Sequence, residues 1–178
     1  MKIASSRETY ADGLLRLVFA EDQAGLYVEG FSVLSSSPAV RAQMNRLQDE
    51  TNMHLISILE LFKSADPSTS QPPESMEIEV AHTIAELLNE GKRSGATDSF
   101  LVHASIRLQD HLLAQYSRVI DCALSLGLSY DRRCLEAIYF AKQLRREAMS
   151  ELCGDQPQIR PRNCTSTHLE PERRFATN

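Results

Sequence analysis

A chain of 178 residues, 42% of them hydrophobic, is long enough to bury a core, and one folded domain is expected. Its net charge of −5 argues against a nucleic-acid partner, because binding to phosphate needs an excess of Lys and Arg. No apolar run approaches the roughly 20 residues of a membrane-crossing helix, the opening MKIASSRETY has no apolar signal segment, and Cys122, Cys134, Cys153 and Cys164 lack metal-ligand spacing, so a cytoplasmic protein off the membrane is expected.

Ser5 and Glu8 have the form of a capping box, and a helical stripe follows through Leu14, Leu17, Glu21, Ala24, Val28 and Phe31. Glu21 thus falls mid-stripe, where the default for a carboxylate is the solvated edge. The run Ser35-Ser36-Ser37-Pro38 ends this helix and opens the next, with Ser37 as N-cap and Pro38 at the first helical position. So short a joint makes the two helices antiparallel and sets the Glu21 face opposite the second helix. On that second helix Leu47, Glu50, His54, Ile58 and Leu61 recur at spacings of three and four, which places a carboxylate and an imidazole among aliphatic groups. A charged group out of water must be paired, metal-bound or neutralised.

Lys63 to Glu74, with three prolines, reads as an extended crossover, and Met76 to Asn89 as a short helix through Met76, Val80, Ile84 and Leu87 that covers the bundle as a lid and is closed by Gly91 to Gly95. Thr97 or Asp98 is the expected N-cap of a long helix reaching Leu126, with Leu101, Leu108, Leu112, Val119 and Cys122 on its apolar face. Gly127 stops it, Ser129 or Asp131 is expected to cap the last helix, and that helix runs to about Leu152 through Leu135, Ile138, Lys142, Arg145 and Met149. Lys142 stands where an aliphatic residue is expected, and a snorkelling lysine at the stripe's edge is the ordinary explanation. The bundle is assigned to residues 1–153, and residues 154–178, with scattered charge and no period, to a disordered tail.

The pattern alone gives an all-α protein: a four-helix bundle of ferritin-like connectivity with a short extra helix in the crossover. The segments then carry a resemblance. AEDQ at Ala20 to Gln23 resembles the AEKQ of the YciE/YciF family of ferritin-like proteins, and DET at Asp49 to Thr51 resembles its EET. LQDHLLAQY from Leu108 to Tyr116 and LEAIYFAKQL from Leu135 to Leu144 are similar to its third and closing helices. The resemblance covers about residues 8 to 152 and implies a small bacterial helix bundle linked to stress responses.

Carried over residue by residue, the family's acidic positions survive at Glu21 and Glu50. In the third long helix they fall on Gln109 and Leu112, and in the last on Phe140, Ala141 and Lys142. A dinuclear metal site needs carboxylates from all four helices, so the resemblance implies a degraded site and a non-catalytic structural or interaction module with no cofactor. The alternative is one metal, Fe or Mn, on Glu21, Glu50 and His54, with Gln109 and water completing the shell and ferroxidase or storage activity following. By the family match Lys142 would point toward Glu21 and Glu50 and stand in for the cation; the competing arrangement has all three in solvent. A helical docking protein that pairs as a homodimer is a third reading. No phosphate loop, HExxH or GxSxG occurs, and His103 and His111 lie about 80° off a common helix face, which disfavours a paired haem site.

Overall fold

The computed structural model describes residues 6–65 and 78–154, and these fold into five helices: α1 (Ser6–Leu34), α2 (Pro38–Ser64), α3 (Ile78–Ser94), α4 (Thr97–Ser125) and α5 (Ser129–Gly154). No strand occurs among the described residues. Ser5 of the expected capping box, the Asp66 to Glu77 part of the crossover and the tail from Asp155 lie outside them.

Side-chain pairs give the packing. Ser32 meets Asn45 and Gly25 faces Gln48, so α1 and α2 are antiparallel. Ser35 meets Asp98 and Glu21 meets Tyr116, so α1 and α4 are antiparallel too. Asp110 with Arg146 joins α4 to α5, and Glu50 with Arg145 joins α2 to α5. The four long helices therefore stand in the ring order α1, α2, α5, α4, with α2 and α4 parallel across the diagonal, and α3 packs on α4.

The joints follow the chemistry of their residues. Ser37, in an extended conformation, accepts from the Val40 N–H and is followed by Pro38, which needs no partner at the first helical position. Gly127 leaves α4 with φ +71°, a left-handed turn that a Cβ would strain. The short extra helix is longer than expected: α3 continues through Gly91 to Ser94, and the stop is Gly95, also at φ +71°. Gly91 instead serves close approach, since a Cβ there would lie 2.9 Å from the Cβ of Phe100.

Two expected caps do other work. Asp98 makes no cap for α4, whose start at Ala96 has no side-chain cap at all. Its carboxylate reaches across to the α1–α2 joint and accepts from the backbone N–H groups of Ser36 and Ser37 and from the Ser35 and Ser36 hydroxyls. Serine-rich joints expose several donors, and one carboxylate satisfies four of them. Likewise Ser129 is itself the first residue of α5, and Asp131 accepts from the Tyr10 hydroxyl at 2.8 Å.

The core falls into two apolar clusters. One, near the α1–α2 joint, holds Val28, Phe31, Met44, Leu47, Leu101 and Met149, with Ile84 of α3 packed into it. The other, at the far end, holds Tyr10, Leu14, Ile58, Leu61, Leu135 and Ile138. Between the two ends lie the buried polar side chains of Glu21, Thr51, Gln109 and Lys142.

Candidate functional site

Glu21 is 0% exposed, against the expectation that it lies solvated at the stripe's edge. It takes that position because α1 buries a broad face, Leu14 and Leu17 below it and Ala24 and Val28 above, and the acid falls on the midline. Its counterpart is Lys142 of α5, 1% exposed, whose Nζ lies 2.7 Å from Oε1 and 3.0 Å from Oε2 of Glu21. The lysine is thus inside the bundle, not snorkelling. Tyr116 of α4 closes the group by donating its hydroxyl to Glu21 Oε1 at 2.7 Å, and the ammonium also lies 5.7 Å from the centre of the Tyr116 ring. Burial, then the neighbouring Glu21 charge and the hydrogen bond to it, push the Tyr116 hydroxyl well above its ordinary range, so it remains a donor.

Glu50 does not join this group. It faces the α2–α5 seam, where Arg145 holds both of its oxygens in a fork, Nε to Oε2 at 2.9 Å and the Arg145 NH2 group to Oε1, while NH1 reaches Gln43 Oε1 at 3.0 Å. The hydrogen bond to Glu50 raises the guanidinium above its already high value against the opposing effect of burial. Lys142 therefore answers one carboxylate and Arg145 the other. Arg145 was visible in the sequence on the stripe of the last helix, but nothing there marked it as the partner of Glu50.

His54 is half-buried, and its imidazole is pushed down to about 4, by burial first and then by the Lys142 charge, with Glu50 pulling weakly the other way. It is a neutral ring at neutral pH, and its Nδ1 has no hydrogen-bond partner. Gln109 is 0% exposed on α4, and neither its amide oxygen nor its amide nitrogen finds a partner. Thr51, 1% exposed with an unbonded hydroxyl, is a buried polar group that the sequence reading passed over, since it sits beside Glu50 and outside the stripe as drawn. His103 is exposed and contacts the Ser99 carbonyl at 2.8 Å.

The donor set does not fit a dinuclear centre of the kind found in the family the sequence resembles. Such a centre needs carboxylates converging from four helices, whereas Glu21 is saturated by an ammonium and a phenol and Glu50 by a guanidinium. Among the described residues no group of three or more His, Cys, Asp or Glu is placed to hold a metal ion.

Fold and site together define an all-α helical bundle whose centre is closed by buried ion pairing. The chain belongs to the family described as "Domain of unknown function (DUF892)", which it matches over residues 5–159. In fold it is similar to YcfI from Rhodopseudomonas palustris, at a TM-score of 0.69 and 15% identity, over 84% of this chain and 95% of that one. No curated protein matches it. No helix among the described residues is long and apolar enough to cross a membrane.

Proposed function

We propose that this is a ferritin-like bundle of the YciE/YciF type whose metal-binding core has been replaced by an ion-pair core, and that it works as a stress-associated, non-catalytic structural or interaction module of the cytoplasm. The observation that carries this reading is the Lys142 ammonium at 2.7 and 3.0 Å from the two Glu21 oxygens. A divalent cation at Glu21 would have to displace that ammonium and then leave it buried without a counter-charge, which costs several kcal/mol. Arg145 imposes the same competition at Glu50.

The test is elemental analysis of the purified protein after reconstitution with Fe(II) or Mn(II), beside a Glu21→Ala/Glu50→Ala double variant. No bound metal in either protein is the expected result. Near-stoichiometric metal that disappears in the double variant would overturn the reading in favour of the ferroxidase or storage alternative on Glu21, Glu50, His54 and Gln109, and oxygen consumption would then be the assay.

The interaction half of the reading draws on what the bundle leaves outside. Phe140 and Leu144 on α5 are 60% and 52% exposed, and Met53 and Ile56 on α2 are also exposed. The Glu50–Arg145 pair sets these segments of α2 and α5 at the same height, and a homodimer would cover them. Sedimentation of the full chain beside Phe140→Glu/Leu144→Glu tests this; a wild-type monomer at micromolar concentration would refute it.

A further inference from the structure

Close to the Glu21–Lys142 pair, α2 and α4 bring together polar side chains whose hydrogen-bonding atoms are unmatched. Both amide atoms of Gln109, the Thr51 hydroxyl and the Gln48 amide oxygen are buried from solvent and unbonded. Buried polar groups are paired in about nine cases of ten or more, so several orphans in one place point to a guest.

The register puts them in one layer. The Ser105 hydroxyl lies 3.2 Å from the Met44 sulfur across the diagonal of the bundle. Because α2 and α4 run parallel there, the next turn along each carries Gln48 and Gln109, with Thr51 just beyond. On the α1 side the layer is left open by Gly25: a Cβ at that position would stand 3.4 Å from Gln48 Nε2 and 3.8 Å from Thr51 Cγ2, in ordinary contact with both. A methyl-sized opening therefore faces these side chains, and glycine keeps it open.

The chemistry of the orphans selects the guest. The two amide oxygens need donors, Gln109 Nε2 needs an acceptor, and the threonine hydroxyl can be either. A metal cation would satisfy oxygens only and would stand near the Lys142 ammonium. A carboxylate would offer no donor. Water is small, neutral and bonds in both senses. We propose that the bundle contains a built internal hydration site, with ordered water held between Gln109 of α4 and Thr51 of α2 in the opening left by Gly25 of α1. The site goes beyond the metal-free reading, because its occupant is argued from unpaired donors and acceptors and not from the ion pairs.

A high-resolution crystal structure of the full chain tests it, together with water-to-protein magnetisation transfer to the Gln109 side-chain amide in solution. Solvent density within hydrogen-bond distance of Gln109 and Thr51, and a cross-peak to long-lived water, are expected. The Gly25→Ala methyl enters the opening, and the cross-peak is then expected to disappear. Direct bonding of Gln109 to protein groups with no solvent density beside it, or an unchanged cross-peak in Gly25→Ala, would overturn the proposal. Density ringed by oxygens at about 2.1 Å would mean a cation, and would overturn this proposal and the metal-free reading together. Loss of solvent density alone would leave the metal-free reading standing. Should Gly25→Ala not fold, the wild-type density and cross-peak still decide.

Discussion

Lys142→Met keeps most of the lysine stem and removes the ammonium, which leaves Glu21 fully buried with a single remaining donor, the Tyr116 hydroxyl. Removing one partner of a buried ion pair costs about 3–5 kcal/mol. The remaining hydrogen bond to a charged group is worth about 1.5–3 kcal/mol, which favours the lower end of that range. At about 2–4 °C per kcal/mol for a chain of this size, the melting temperature falls by about 6–12 °C for a loss near 3 kcal/mol. The penalty belongs to the uncompensated charge that stays buried. Glu21→Gln/Lys142→Met removes both charges, and its cost should fall well below the sum of the two single losses, because the two residues act as one unit. Urea unfolding of the four proteins at neutral pH measures all of this. A Lys142→Met protein within about 0.5 kcal/mol of wild type at neutral pH, the usual scatter of a surface change, would refute the argument.

The half-buried His54 binds a proton in the unfolded chain below about 6.5 but in the folded protein only below about 4. Folding therefore loses stability as the pH falls from 6.5 to 4, by about 1–2 kcal/mol once solvent screening is allowed for, and His54→Gln flattens that slope; equal slopes in wild type and variant would contradict it. Asp98→Ala releases the α1–α2 joint and costs about 1–3 kcal/mol by loss of charge-assisted bonds to three serines. Burial tends to raise the Asp98 carboxyl, but the four hydrogen bonds together hold it below its ordinary value, so its contribution is present above about pH 4 and lost on further acidification; chemical unfolding against pH reads both. Gly91→Ala gains about 1 kcal/mol of helix propensity but drives a methyl into the Phe100 Cβ, and a net loss of about 1–2 kcal/mol by thermal unfolding is expected. An unchanged or raised melting temperature would mean that α3 moves off α4 freely.

The five-helix order, the Ser37-Pro38 start and the Gly127 stop were legible because each depends on local chemistry. Asp98 and Asp131 misled for the same reason: a carboxylate near a helix start looks like a cap, and no local signal shows that donors 62 and 121 residues away, on Ser36 and Tyr10, bind it more fully. Gly91 read as a stop because sequence cannot distinguish a glycine needed for a left-handed turn from one needed for close packing. At the centre, periodicity put Glu21 and Lys142 on inward stripes, but propensity assigned both to the solvent edge. Only the opposition of two such residues on different helices makes burial tolerable. The family match pointed Lys142 at Glu50 as well as Glu21, yet a difference of about one turn on α5 gave Glu50 to Arg145 instead.

The two ion pairs also bear on why the helices hold one register. The apolar clusters at either end of the bundle are built mostly from aliphatic groups, and sliding α5 by one turn against α1 would still bury most of them while breaking the Tyr10–Asp131 hydrogen bond. The same slide would move Lys142 by about 5.4 Å, past hydrogen-bond reach of Glu21, and leave two opposite charges buried and separate. It would also pull Arg145 away from Glu50 at the α2–α5 seam. Since α1 pairs with α5 through Glu21 and α2 with α5 through Glu50, one helix carries both locks. The polar layer thus specifies the alignment that the apolar ends leave loose. In a metal-centred bundle a shared ion would impose that alignment, and here two cationic side chains of α5 impose it through Glu21 and Glu50.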